Sequence, residues 1–313
     1  MKNTHKNLPE KPILTDQDLK TWYSSHWVPP RTYRIKLEII KYIHQAMQGI
    51  FTFSDVIHNG FKNSLDLQIE YIDAPFSNLP ENFHNTKILF LSDFHLGVVE
   101  ELPEIIISKI KDLEFDLCLL GGDYRHCATH PSRPFLAELE KILKPIRPPL
   151  GIYGVLGNHD GPEIIPALER MGVKMLVNDS VSIDKGKHHI KLIGIDEFNV
   201  FGRHDLQKAF RGVSMDEFSI FLSHSPDLFR QAQVHGADFY LCGHTHHGQI
   251  QLPIVGPLLT FSSAPRGISM GAWNYKTMAG YTGPGLGTVA ASVRFRCPPK
   301  AVLLTLCCTP KKV

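Results

Sequence analysis

Long apolar runs are missing from this sequence: no window of its 313 residues holds the roughly 20 consecutive apolar residues that a membrane-spanning helix requires. The opening stretch, MKNTHKNLPEKPILTDQDLK, also lacks the apolar centre of a secretory signal, which argues against export by that route. Net charge is almost absent, +2 at pH 7, too little to point to a nucleic-acid partner. Cysteine is sparse, six residues, and its placement does not suit a disulfide framework, since Cys118 and Cys242 lie inside apolar runs and Cys307 adjoins Cys308. A reducing compartment is the expectation. No fixed-period repeat and no low-complexity segment occurs, and 43% hydrophobic with 20% charged residues is the composition of an ordinary globular protein with a sizeable core.

What the chain does have is a series of strand-length apolar runs, each ending in polar groups. KILFLSDFHLG delivers Asp93 and His95, which an extended chain would point to one side. DLCLLGGD ends in Asp123, GIYGVLGNHD carries Asn158 and His159, FSIFLSH ends in His224, and DFYLCGHTHHG carries His244 and His246. Continuous apolar runs are the mark of parallel strands buried on both faces, whose carboxyl ends bind ligands in α/β sheets. Between them LPEIIISKIKDL, PFLAELEKILKPI and PEIIPALERMG read as crossover helices, the last opened by Pro162 and closed by Gly172. Alternating strand and helix argue an α/β fold of βαβ units.

Around this centre lie less regular parts. Residues 1–32 read as a loose polar arm, and Ile35, Ile39, Ile43, Met47 and Ile50 give residues 32–53 the spacing of an amphipathic helix. LDLQIEYIDAP alternates as an edge strand does. KMLVND and HHIKLIGID read as a strand pair ending in Asp196, and residues 198–218 as an insertion with a short helix, LQKAF. GAWNYKTMAGYTGPGLG reads as a glycine-rich aromatic loop, and SVRFRC and AVLLTLCC as closing strands. The expected division is residues 1–84, arm, helix and edge strand, and residues 85–313, catalytic domain.

Carboxylate, imidazole and amide groups together suit manganese, iron or zinc better than calcium or a thiolate-bound metal, and these groups outnumber the needs of one ion. Two ions about 3.5–4 Å apart would use them and clamp both oxygens of a phosphoryl transfer. Lone histidines elsewhere, His126, His130, His188, His189, His204, His235 and His247, read as hydrogen-bonded structural residues, and Asp196 as a turn residue.

Here the sequence resembles the calcineurin-like metallophosphoesterases. Their successive motifs stand as Asp93-Phe94-His95, Gly122-Asp123, Gly157-Asn158-His159-Asp160, His224 and Gly243-His244-Thr245-His246, over roughly residues 85–308. The resemblance implies a layered sandwich of two mixed, mostly parallel sheets flanked by helices. It implies that Asp93, His95, Asp123 and His246 hold one divalent ion and Asp123, Asn158, His224 and His244 the other, with Asp123 bridging. Manganese is the expected metal, with iron, zinc and magnesium as alternatives. His159 would stabilise developing charge or protonate the leaving oxygen, Asp160 would orient it, and Arg125 is a candidate phosphate clamp because guanidinium binds phosphate bidentately.

Within the family, FLSHSPD, GHTHHGQIQLP and the closing R-x-x-x-P-P-x-x-x-L-L-T-L resemble a bacterial branch of YkuE- and YaeI-type enzymes, which includes UDP-2,3-diacylglucosamine diphosphatases of lipid A synthesis. Lys300 departs from that branch's usual glutamate. The branch implies a lipid-linked sugar-nucleotide substrate and a cytoplasmic protein peripheral to the inner membrane. The helix at 32–53, the aromatic loop at 271–285 and Arg294, Arg296, Lys300, Lys311 and Lys312 would form the apolar, cation-rimmed contact. Two other readings stand beside this one: a phosphodiesterase or phosphatase for soluble nucleotides or phosphoproteins, and a non-catalytic scaffold with the same fold.

Overall fold

The computed structural model describes residues 54–126 and 135–310. The predicted arm, the helix at 32–53, His130, Lys311 and Lys312 lie outside them. In chain order the elements are α1 (Ser54–Leu65), β1 (Gln68–Phe76), β2 (Thr86–Leu91), α2 (Leu102–Ile110), β3 (Leu117–Leu120), α3 (Phe135–Leu143), β4 (Ile152–Gly154), α4 (Ile165–Arg170) and β5 (Val173–Met175). There follow β6 (Asp179–Lys185), β7 (His188–Gly194), α5 (Leu206–Ala209), β8 (Ser219–Leu222), α6 (Phe229–Val234) and β9 (Phe239–Cys242). The described chain closes with β10 (Gln251–Leu252), β11 (Gly256–Pro257), β12 (Gly271–Tyr275), β13 (Met278–Thr282) and β14 (Lys300–Cys308).

Two six-stranded sheets result, in the orders β1-β14-β2-β3-β4-β5 and β12-β13-β9-β8-β7-β6. Seven of their ten strand pairings are parallel; β14–β2, β12–β13 and β6–β7 are antiparallel. The fold is therefore the mixed, mostly parallel two-sheet α/β sandwich that the resemblance implies. Alternation within the buried strands makes the layers. Ile88 and Phe90 of β2, with Leu117 and Leu119 of β3, face Ile190, Leu192, Ile220 and Leu241 of the second sheet. The intervening residues Leu89, Leu91, Cys118 and Leu120 turn outward onto Ile106 of α2, Leu139 of α3 and Leu168 of α4. On the far side Ile193, Phe221 and Tyr240 meet Phe229 and Ala232 of α6.

β1 is the edge strand its alternation predicts, paired in parallel with β14 along nine positions. Its Glu70 explains Lys300: Nζ stands 3.2 Å from the Glu70 carboxylate, so the departing residue has found an acid on the neighbouring strand. Four expectations need correction. KMLVND does not pair with HHIKLIGID; Val173–Met175 ends the first sheet, and the hairpin partner of β7 is the alternating DSVSIDK, joined through Lys185-Gly186-Lys187. SVRFRC is not a strand and has only the isolated bridge of Phe295 with Ile250, because Arg294 turns its side chain into the protein. GAWNYKTMAGYT is not an exposed loop but a hairpin with Trp273 and Tyr281 buried. That burial, with Arg294 fully enclosed and Lys300 paired, removes the lipid-facing surface expected there. α1 was not anticipated: polar and interrupted by Gly60, it lies over residues 292–294, with Gly60 O accepting from Arg294 N at 2.9 Å.

Candidate metal centre

All five chemistry-bearing turns follow strands, three from the first sheet and two from the second, and they meet across the sandwich. They do so by leaving the extended conformation. β2 ends at Leu91, and Asp93 (φ 52°) and His95 (φ 46°) are left-handed, as are Asp123 (φ 55°), His244 (φ 71°) and His246 (φ 49°). The expectation that an extended chain aims Asp93 and His95 to one side is corrected accordingly. Their backbone amides instead donate to the carbonyls of Gly122 and Asp123 at 2.9 and 3.0 Å, knitting two strand ends together. Strained non-glycine residues persist where surrounding structure over-determines them, and they cluster at functional sites. The motif glycines supply room: a Cβ on Gly157 would run into the Asp123 carboxylate, and one on Gly243 into that of Asp93.

Two half-sets form around Asp123. In one, His95 Nε2 lies 3.0 Å from His246 Nε2 and 3.6 Å from Asp123 Oδ2, and Asp93 Oδ1 lies 3.5 Å from His246 Nε2. In the other, the Asn158 amide oxygen is 2.9 Å from His224 Nε2 and 2.7 Å from His244 Nδ1, with Asp123 Oδ2 3.3 Å from His224 Nε2. The far nitrogens of those two rings donate to carbonyls, His224 Nδ1 to Gly121 at 2.8 Å and His244 Nε2 to Phe261 at 3.2 Å. With both rings neutral the facing nitrogens would be bare and two lone pairs would converge on the amide oxygen, an arrangement that calls for a cation, either a proton on His224 or a metal ion. Anchoring the far nitrogen is how metal-binding imidazoles are oriented.

Electrostatics agree. Burial pushes His95 and His246 well below the ordinary histidine range and His244 down to about 4, which keeps these rings neutral and able to donate a lone pair. His224 is the exception: burial opposes its charge, but the Asp123 carboxylate more than offsets this and carries the pKa up to about 10, so this ring holds a proton that a bound ion would have to displace. Asp93 is raised to about 6 by burial. Asp123 resists its own burial because His224 and His159 beside it hold it well below the usual carboxylate range. The residues present fit divalent ions: buried, mixed oxygen and nitrogen donors around a shared carboxylate.

The three residues expected to be catalytic are placed differently from one another. His159 Nε2 faces Asp123 Oδ2 at 4.0 Å, with the ring partly exposed. Its orientation is set by Nδ1 against the carbonyl of His126, not by Asp160 as expected. Asp160 is fully buried and accepts from the amides of Asp123 (2.8 Å), Gly157 (2.9 Å) and Tyr124 (3.1 Å), so it ties the two loops together. Arg125 is not presented as a phosphate clamp: Nε donates to the His159 carbonyl at 2.6 Å and Nη2 to Glu163 at 2.7 Å, which makes it a brace for the His159 loop. His126 contributes through its backbone, which no side-chain motif could reveal. His247 sits between Thr282 O and Gly271 N as a structural residue, as expected, and Asp196 is a turn residue paired with Arg203 at 3.2 Å.

Fold and site together define a metal-dependent hydrolase built on a two-sheet α/β sandwich. The chain belongs to the calcineurin-like phosphoesterase family, whose profile matches residues 86–248, a span containing every candidate ligand. It is 25% identical over 260 residues to metallophosphoesterase YkoQ of Bacillus subtilis, covering 80% of this chain and 95% of that protein. Metallophosphoesterase YkuE of the same organism is 28% identical over 250 residues, covering 74% and 82%. A transmembrane protein with a metallophosphoesterase domain from Bos taurus is 32% identical over 200 residues, covering 57% of this chain and 44% of that protein.

Proposed function

We propose that the protein hydrolyses the diphosphate of an amphiphilic sugar nucleotide, UDP-2,3-diacylglucosamine, to a lipid monophosphate and UMP, working at the cytoplasmic face of a membrane with two divalent ions, manganese foremost. The reaction class rests on one observation, the Asp123 carboxylate lying between two half-sets of ligands. Asp93, His95, Asp123 and His246 would hold one ion, and Asp123, Asn158, His224 and His244 the other. What such ions supply is Lewis acidity at a phosphoryl oxygen and a water of lowered pKa. His159 presents Nε2 to the same space, where it can stabilise charge on a phosphoryl oxygen or give a proton to the leaving oxygen. Arg125 and Asp160 hold that loop in place. The catalytic domain would be residues 85–313, with β1 added to its edge.

The amphiphilic substrate is supported by an apolar projection beside the site. Leu252, Ile254, Val255, Leu258, Leu259 and Phe261 are all exposed along the β10–β11 hairpin and its exit, and Phe261 O accepts from His244. Ile254, at the tip, is fully exposed at φ 68°. A β-branched residue in the left-handed region costs about 1–2 kcal/mol, and Gly or Asn would relieve it. Water gives no reason for such a residue there; acyl chains do. Among the described residues no helix is long and apolar enough to cross a membrane, and this hairpin is the surface proposed for the contact.

The test offers manganese-loaded protein a diacylated UDP-glucosamine, UDP-glucosamine itself, bis-p-nitrophenyl phosphate and p-nitrophenyl phosphate. The diacylated substrate should be hydrolysed fastest, and Ile254→Glu should raise its KM while leaving the small diester unchanged. Equal rates on acylated and unacylated substrates would favour the soluble-nucleotide phosphodiesterase. Two bound ions without turnover of any ester would favour the scaffold.

A further inference from the structure

Arg294 is the largest side chain fully withdrawn from solvent, at 0% exposure, and among the described residues none of its hydrogen bonds goes to a carboxylate. A buried cation without an acid partner is costly, so its retention calls for a role. Nη2 is shared among the carbonyls of Gly287 (2.6 Å), Pro284 (2.8 Å) and Gly285 (3.4 Å) and lies 3.3 Å from Nδ1 of His246. Nη1 donates to the carbonyl of Cys297 at 3.3 Å, and the Cys297 thiol in turn donates to the His246 carbonyl at 3.2 Å.

The loop that Arg294 gathers is the one lying on Asp93 and His95. Leu286 N donates to Ser92 O at 3.0 Å and Gly287 N to Asp93 O at 2.7 Å, while a Cβ on Gly285 would stand 2.6 Å from the Asp93 Cβ. One guanidinium therefore holds the backbone that seats Asp93 and, through Cys297, the backbone of His246; its 3.3 Å approach to His246 Nδ1 is a packing contact, since a ring that turns a bare Nε2 to an ion carries its proton on Nδ1. The other half-set is anchored without it: His224 on Gly121 O, His244 on Phe261 O. Arginine suits this post because its planar fork reaches several acceptors in fixed directions, which a lysine cannot.

We infer that Arg294 is the positioning residue for one ion of the pair, holding the Asp93, His95 and His246 half-set in register while leaving the Asn158, His224 and His244 half-set untouched. The inference rests on the metal-binding reading above. It is tested with the full-length protein, wild type, Arg294→Gln and Arg294→Lys, by manganese titration with elemental analysis, by the absorption of the cobalt-substituted protein and by urea unfolding. Wild type should bind two ions. Arg294→Gln should keep one at wild-type affinity and bind the second at least about tenfold more weakly, the scale of outer-sphere losses at metal sites. The cobalt spectrum should lose one centre's bands, and Arg294→Lys should recover part of the lost affinity. Two ions retained at wild-type affinity would overturn the inference, as would loss of both ions in step with a lowered urea midpoint, the behaviour of a merely structural arginine. Should Arg294→Gln not fold, Arg294→Lys carries the same comparison. A wild-type protein that binds no divalent ion would instead overturn the metal reading itself.

Discussion

Asp123 and His159 face each other in one site, yet their removal should have different consequences. Asp123 belongs to both half-sets, so Asp123→Ala is expected to lower bound metal and activity together, as elemental analysis and rate assays would show. Retention of two ions at normal affinity would show that it is no bridge. His159→Ala should keep its metal while kcat falls by about 10²-fold or more, the scale of a general acid or charge stabiliser. A variant that loses metal instead would make His159 a ligand. A pH effect is also expected. Burial pushes His247 down to about 4, against the opposing pull of the Thr282 carbonyl, while an unfolded histidine titrates near 6.5. Between those values the unfolded chain holds the proton and the folded chain does not, so His247 lowers stability as pH falls from about 6.5 to about 4. Asp93 and Asp160, raised to about 6, act with the opposite sign, so the measurement is the difference between wild type and His247→Asn in metal-free urea titrations. The variant should show the smaller loss on acidification; an identical profile would remove His247 from the account. The identities of the ligands were legible in the sequence because each ends an apolar run. The left-handed backbones of Asp93, His95, Asp123, His244 and His246 were not, since no residue type marks φ 52° at Asp93 as glycine would. Nor was the difference between Arg294 and Arg296, one type two positions apart, one enclosed and one exposed.

Among elements, strand and helix along the centre of the chain follow directly from apolar run length, and the structure keeps β2, β3, β4, β8 and β9 where the runs place them. The legible pattern weakens where tertiary contacts decide. β12 and β13 carry Gly, Ala and Asn among their aromatics, a composition that reads as loop. They become strands because Trp273 packs in the core with Tyr240, its indole N–H donating to Thr282 Oγ1 at 3.0 Å, and because Gly280 lies flat beneath the indole. This hairpin and β10–β11 should therefore respond oppositely to substitution. Trp273→Ala should cost about 3–5 kcal/mol, the usual loss for a large buried aromatic, seen as a lower urea midpoint. Ile254→Gly should leave the midpoint unchanged or raise it by relieving the left-handed tip, while binding to anionic vesicles falls in a sedimentation assay. A Trp273→Ala protein as stable as wild type would contradict the core placement. An Ile254→Gly protein that binds vesicles as well as wild type would remove the hairpin from the lipid reading.

At the scale of the molecule, the convergence of strand ends was legible but the two sheets were not. Apolar run length is the same for strands of one wide sheet or of two stacked ones, and only the resemblance implied the sandwich. The division matters because the ligands come from both sheets: Asp93, His95, Asp123 and Asn158 follow strands of the first, and His224, His244 and His246 follow strands of the second. The inter-sheet core joins the layers along their length, but at the carboxyl ends polar side chains face one another, and like groups such as His95 Nε2 and His246 Nε2 come within 3.0 Å. Bound cations would turn that seam from a weak point into a clamp. Each ion at 100 times its Kd should add about 2.7 kcal/mol of stability, by mass action on the folded state alone. Chelation should therefore lower Tm and raise amide exchange together in the turns after β2, β3, β4, β8 and β9, while the edge strands β1 and β6 change little. Exchange rising only in the turns of one sheet would mean that the ions are held from one side. A Tm unmoved by chelation or by added manganese would mean that the seam is closed by the protein's own hydrogen bonds.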